Sequence, residues 1–149
     1  MIPPASHNST TLVLRRTFTA TRPRVFRAWI SPVALERWLR PAGMSLTVRS
    51  LEACVGGSFR FEAEDGSYIV GTYLQVAPPE KLVFTWLRES ADSRETIITV
   101  DFLDQGPLTE IVLTHTGLST TEQHILLANG WSSLLNALAS LLSATHLDT

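Results

Sequence analysis

Apolar and polar positions change their period three times along the chain. Leu12, Leu14, Arg16 and Phe18 alternate with Val13, Arg15 and Thr17, the period of two that predicts a first strand. Two short helices follow. Thr21 is placed to cap the first, which carries Val25, Phe26 and Trp29 on one side and tolerates Pro23 in its opening turn. Ser31 and Pro32 restart the pattern as N-cap and first helical residue. Leu35, Trp38 and Leu39 form the apolar face of this second helix, and Pro41 ends it.

Between residues 45 and 117 the period returns to two. Strands are predicted at 45–52, 57–63, 68–76, 81–88, 95–103 and 109–117. Between them stand Val55-Gly56-Gly57, Asp65-Gly66-Ser67, Ala77-Pro78-Pro79-Glu80, residues 90–93 and Asp104-Gln105-Gly106-Pro107. Turn residues at intervals of roughly ten mark an antiparallel meander, because short connections cannot return a strand in parallel. The last stretch is helical: Ser119 and Glu122 have capping-box spacing, and residues 120–146 would make a rod of about 40 Å. Leu127, Trp131, Leu134, Leu138, Leu141 and Leu142 line one stripe of it, widened by Ile125 and Leu135.

The sheet offers that stripe a partner. Phe59 and Phe61, then Leu82, Phe84 and Trp86, then Ile98, Val100 and Phe102, then Ile111, Leu113 and His115 share one phase of their strands. Seven strands and a long helix packed in two layers give an α+β domain over residues 11–149, preceded by a loose polar arm over residues 1–10.

Composition narrows the function classes. Of 149 residues 44% are apolar and 17% charged, which is too apolar for a disordered chain. Twelve basic against fourteen acidic residues leave a net charge of −2 without a basic cluster, so no nucleic-acid partner is expected. One cysteine, Cys54, forms no internal disulfide and reads as a small apolar filler. Four scattered histidines offer no metal set, and no metal or cofactor is expected. There is no signal-peptide pattern and no run of about 18 apolar residues to span a membrane, so the expected address is the cytoplasm.

The motifs Phe26-Arg27-Ala28-Trp29, Ser31-Pro32, Leu35-Glu36-Arg37-Trp38, Val55-Gly56-Gly57-Ser58-Phe59-Arg60-Phe61 and Gly71-Thr72-Tyr73-Leu74-Gln75-Val76 stand in order along the chain. The string Pro78-Pro79-Glu80-Lys81-Leu82-Val83-Phe84-Thr85-Trp86 follows, then Thr109-Glu110-Ile111-Val112-Leu113-Thr114-His115 and Gly130-Trp131 with Leu134 and Leu138. Together they resemble the activator of heat-shock protein 90 ATPase homologue-like family, within the START-like and birch-pollen-allergen-like helix-grip superfamily. The resemblance covers residues 11 to about 143 and implies a curved sheet wrapped around the C-terminal helix with a hydrophobic cavity between them. Relatives in that superfamily bind lipids, sterols or polyketides, and some catalyse cyclisation or dehydration. The eukaryotic co-chaperone carries a further chaperone-binding domain for which 149 residues leave no room, so a chaperone partner is not expected, and a protein that stimulates a chaperone ATPase stands as an alternative function beside the cyclase or dehydratase.

The expected function is binding of a small hydrophobic or amphipathic molecule. Trp38, Phe59, Phe61, Tyr73, Trp86, Phe102, His115, Trp131 and Leu135 are the candidate lining, although the same aromatics would serve equally to fill a core. Gly71 signals a bulge that could shift the phase of Tyr73. His115 lies on the inward phase as a structural, ligand-orienting or acid–base group, and an enzyme of the cyclase or dehydratase kind would use His115 and Tyr73. Arg15, Arg16, Arg22, Arg24, Arg27, Arg37 and Arg40 fall on rim or surface phases, from which one or two could meet an anionic head group. The outer sheet face and edge strands would permit a homodimer.

Overall fold

A computed structural model describes residues 11–89 and 94–143. Its strands are β1 (Thr11–Phe18), β2 (Leu46–Leu51), β3 (Ser58–Ala63), β4 (Tyr68–Ala77), β5 (Lys81–Arg88), β6 (Thr96–Gln105) and β7 (Leu108–Thr116). Its α-helices are α1 (Arg22–Ala28), α2 (Pro32–Trp38) and α3 (Thr121–Ser143), with a 3-10 turn at Pro41–Gly43. The predicted arm at residues 1–10, the connection at 90–93 and the helix end beyond 143 lie outside the described residues.

All seven strands form one antiparallel sheet in the order β1-β7-β6-β5-β4-β3-β2. The chain therefore crosses from one edge to the other between β1 and β2, and α1 and α2 make that crossing. Period-two patterning carries over into burial: β7 alternates buried and half-buried residues along its whole length, and Ile111, Leu113 and His115 have no exposed surface. The long helix lays Trp131, Leu134, Leu135, Leu138 and Leu142 on this face. This is the helix-grip α+β arrangement.

Several local expectations are corrected. Ile125 does not widen the apolar stripe but is 55% exposed. Cys54 is exposed rather than a core filler. The long helix is capped one residue later than Ser119: the Thr120 hydroxyl accepts from the Gln123 N–H at 3.0 Å, and the Ser119 N–H donates to Gln123 Oε1 at 2.7 Å. The Ser119 hydroxyl also donates to Gln123 Oε1, at 2.9 Å, so Gln123 rather than Glu122 closes the helix start. By length and composition alone α3 could cross a membrane, having a mean hydropathy of 1.4. Here it is the layer that covers the sheet.

Gly71 marks an irregularity, as its place inside a strand suggests. A Cβ there would overlap the Thr85 carbonyl and the Phe59 ring. Thr72 N–H turns to the Thr85 hydroxyl at 2.8 Å, and the β4–β5 register slips by one after Tyr73. The slip lies beyond Tyr73, so that residue keeps its inward phase and is only 3% exposed.

Candidate functional site

The space between sheet and helix divides into two parts. Where α1 and α2 close over the sheet, aromatic rings fill it. Trp29 packs on Trp38 at 4.8 Å between centroids and on Trp131 at 6.0 Å, while Phe59 stacks on Phe61 at 4.7 Å and meets Phe84 edge-on at 5.8 Å. What remains is a space of about 20 Å³ walled by Trp29, Trp38, Phe59, Tyr73, Trp86, Trp131 and their neighbours. That is room for a single water-sized group.

Toward the other end α3 alone among the described helices covers the sheet, and a cleft of about 690 Å³ opens. Ile69, Trp86, Leu127, Trp131 and Leu134 supply apolar walls, Pro41 and Ala42 of the 3-10 turn close one side, and Thr96 and His115 contribute polar atoms. Arg88 and Arg94 also line it, and among the described residues no carboxylate does. Arg88 is shared with Asp65 at 3.4 Å, whereas Arg94 has no ion pair among the described residues. Gly130 sits in the middle of α3 on this cleft, and a Cβ built there would meet open space. Glycine in a helix interior costs about 1 kcal/mol relative to alanine, so the position sacrifices helix stability for room.

Of the nine residues expected to line a cavity, Trp86, His115 and Trp131 reach the cleft. Trp38, Phe59, Phe61 and Tyr73 border the small inner space instead. Phe102 and Leu135 border neither. Phe102 packs against Phe26 and Trp29 beneath α1, and both residues are at most 2% exposed. The arginines that meet the cleft are Arg88 and Arg94, not those of the first forty residues. Their signal in the sequence was weak, because Arg88 ends β5 and Arg94 stands just before β6, places where charged residues are ordinarily solvated. Gly130 had a clearer one, as the lone glycine within an otherwise helical run.

His115 is held by a directional network. Trp131 Nε1, which has only a proton to offer, donates to His115 Nδ1 at 3.1 Å. The neutral ring must then carry its own proton on Nε2, which donates to Thr96 Oγ1 at 2.7 Å. Thr96 Oγ1 donates onward to the Trp86 carbonyl at 3.2 Å. Every donor has one acceptor. Burial pushes the His115 pKa down to about 4, so the ring is neutral at physiological pH. Protonating Nδ1 would set two donors against each other. His115 thus fixes the Trp131 ring in the cleft floor and is not poised to exchange protons near neutrality. Tyr73 is no better placed, since burial raises its phenol to about 12. Among the described residues no cluster of His, Cys, Asp and Glu could hold a metal.

Comparisons with known proteins agree with this architecture. A crystal structure of a Chromobacterium violaceum protein is 29% identical, with a TM-score of 0.77 over 89% of this chain and 96% of that one. One from Rhodobacter sphaeroides is 25% identical, with a TM-score of 0.79 over 97% and 98% of the two chains. DynU16, encoded in the dynemicin biosynthetic locus, shares the fold at 17% identity and a TM-score of 0.78, over 90% of this chain and 47% of its own. No curated protein sequence matches significantly. The fold is one used by ligand-binding and polyketide cyclase-like proteins. The family profile described as Activator of Hsp90 ATPase homolog 1-like protein matches residues 19–143, and the chain belongs to that family.

Proposed function

We propose that the protein binds a small amphipathic molecule in the cleft between the sheet and α3, its apolar body on Trp86, Leu127, Trp131 and Leu134 and an anionic group toward Arg94. The observation that carries this reading is the composition of the cleft: an apolar floor, two guanidinium groups and, among the described residues, no carboxylate in about 690 Å³. Ligand sites combine apolar walls with a few oriented polar groups, and this volume is in the range that takes small organic molecules. An arginine recognises a carboxylate through paired N–H donors and holds its charge at any physiological pH.

The reading is one of binding rather than turnover. Its two acid–base candidates are a histidine with both nitrogens engaged and a phenol that stays protonated. A ligand that selects the folded state raises the melting temperature by mass action. Thermal unfolding with 2-naphthoate, its methyl ester and decanoate tests the proposal. Stabilisation by the carboxylates and a weaker effect of the ester are expected; no shift with any of them at millimolar concentration would refute it. Native mass spectrometry of freshly purified protein would show whether such a molecule co-purifies.

A further inference from the structure

Three tryptophans are buried between α1, α2, α3 and the sheet, and two have satisfied indoles. Trp38 Nε1 donates to the Ala28 carbonyl at 2.8 Å, and Trp131 Nε1 donates to His115. Trp29 differs. It is 5% exposed, and its Nε1 is the one buried side-chain polar atom without a partner among the described residues. A buried donor left unmet is rare in native proteins and points to a group that the structure does not contain.

Trp29 walls the small inner space, and that space adjoins the cleft: Trp86 and Trp131 border both. These two rings, 5.8 Å apart between centroids, are the partition. Trp131 is anchored by His115. Trp86 is only partly buried, and its indole nitrogen has no hydrogen bond among the described residues, so packing alone holds its ring.

We infer that Trp29 Nε1 is the inner anchor of the cleft's ligand, donating to a single uncharged carbonyl oxygen that the ligand carries at the end opposite its anionic group. The inference rests on the ligand-binding reading above and specifies the chemistry of the buried end. Size favours one oxygen, because about 20 Å³ takes no more. Charge is excluded at this end: the walls contain no cation, and an anion there would lose its hydration with nothing to replace it. Water is a poor permanent occupant. A buried water needs two to four polar partners, and among the described side chains of this wall, with the Trp38 and Trp131 indoles already engaged, Trp29, Trp86 and the Tyr73 phenol supply little beyond that minimum. Displacing a poorly held water gains affinity.

The test compares two probes of nearly equal shape, 6-acetyl-2-naphthoate and 6-isopropyl-2-naphthoate, on the whole protein and on Trp29→Phe, which keeps a ring and removes the N–H. The acetyl compound should bind the unaltered protein at least about tenfold more tightly than the isopropyl compound, and this preference should vanish in Trp29→Phe. Infrared spectra of the bound acetyl probe on the unaltered protein give a second readout that needs no variant: its carbonyl stretch should fall to the hydrogen-bonded range. Equal affinities, a preference that survives in Trp29→Phe, or an unshifted stretch would each overturn the inference while leaving the cleft reading intact. If neither naphthoate binds the unaltered protein, the cleft reading fails and takes the inference with it.

Discussion

The inner and outer parts of the space beneath α3 share two walls, Trp86 and Trp131, and differ in what else surrounds them. Under α1 and α2 three layers of side chain converge: helix residues Trp29, Leu35 and Trp38, strand residues Phe59, Phe61, Tyr73 and Phe84, and Trp131 of α3. Large rings in contact from several directions leave about 20 Å³. Toward the N-terminal half of α3 no second helix pair among the described residues reaches the sheet. Besides the shared tryptophans, the residues there include a threonine, a histidine, a glycine and two arginines among leucines, with Ile69, Ser119, Gln123 and the Pro41-Ala42 turn. Aromatic density therefore marks where the protein is solid. Small, polar and basic positions mark where it is open, since a protein packed to crystal-like density keeps a void only where side chains fail to reach.

Four measurements would break or sharpen that contrast. The solid side should show the largest cost. Trp38→Ala removes a fully buried indole, and a loss of about 3–5 kcal/mol in urea unfolding is expected, as for other large-to-alanine core changes. A loss below about 1 kcal/mol would mean that the inner region is loosely filled after all.

Next comes the boundary between the two regions. His115 is neutral in the fold down to about pH 4, while an unfolded chain takes up that proton near 6.5. The unfolded state therefore binds more protons in that window. Stability should be complete above about pH 6.5 and fall by up to about 3 kcal/mol as pH drops toward 4. Urea midpoints from pH 4 to 7 measure the slope, and His115→Gln should flatten it. An unchanged slope in that variant would show that other groups carry the effect.

On the open side room and stability should separate. Gly130→Leu places a side chain in the cleft and improves helix propensity by up to about 1 kcal/mol. Binding of 2-naphthoate should weaken by tenfold or more with the melting temperature equal or higher. Retained affinity would place the ligand elsewhere. The smallest effect is expected at Arg94→Ala, a few-fold loss for 2-naphthoate that disappears for its methyl ester and shrinks with salt. Equal losses for acid and ester would remove charge from the account.

Much of the architecture was legible in the sequence because its signals are local. The alternation of Ile98, Val100 and Phe102 or of Ile111, Leu113 and His115 assigns each residue to a face without knowledge of what that face meets. Ser31 caps α2 as its position before Pro32 implies, accepting from Ala34 N–H at 3.3 Å. The site was legible only in part. Trp86, His115 and Trp131, expected as lining, stand on the cleft wall because their strand and helix phases point inward there. Trp29, Thr96, Arg88 and Arg94 were not singled out as lining, since nothing in their own neighbourhoods separates them from core, strand and surface residues, and Gly130, although the lone glycine of its helix, does not by itself say which face stays open.

Strand phase, helix stripe and turn chemistry are properties of neighbours in the chain, so the row of residues determined that an apolar sheet face would meet an apolar helix. Which part of that contact stays hollow depends on how far α1 and α2 extend across the sheet, a distance between elements remote in sequence. Only the tertiary structure decided that Trp38 and Phe59 would close one end, that the other would remain open beneath Gly130, and that His115 would spend both nitrogens on Trp131 and Thr96.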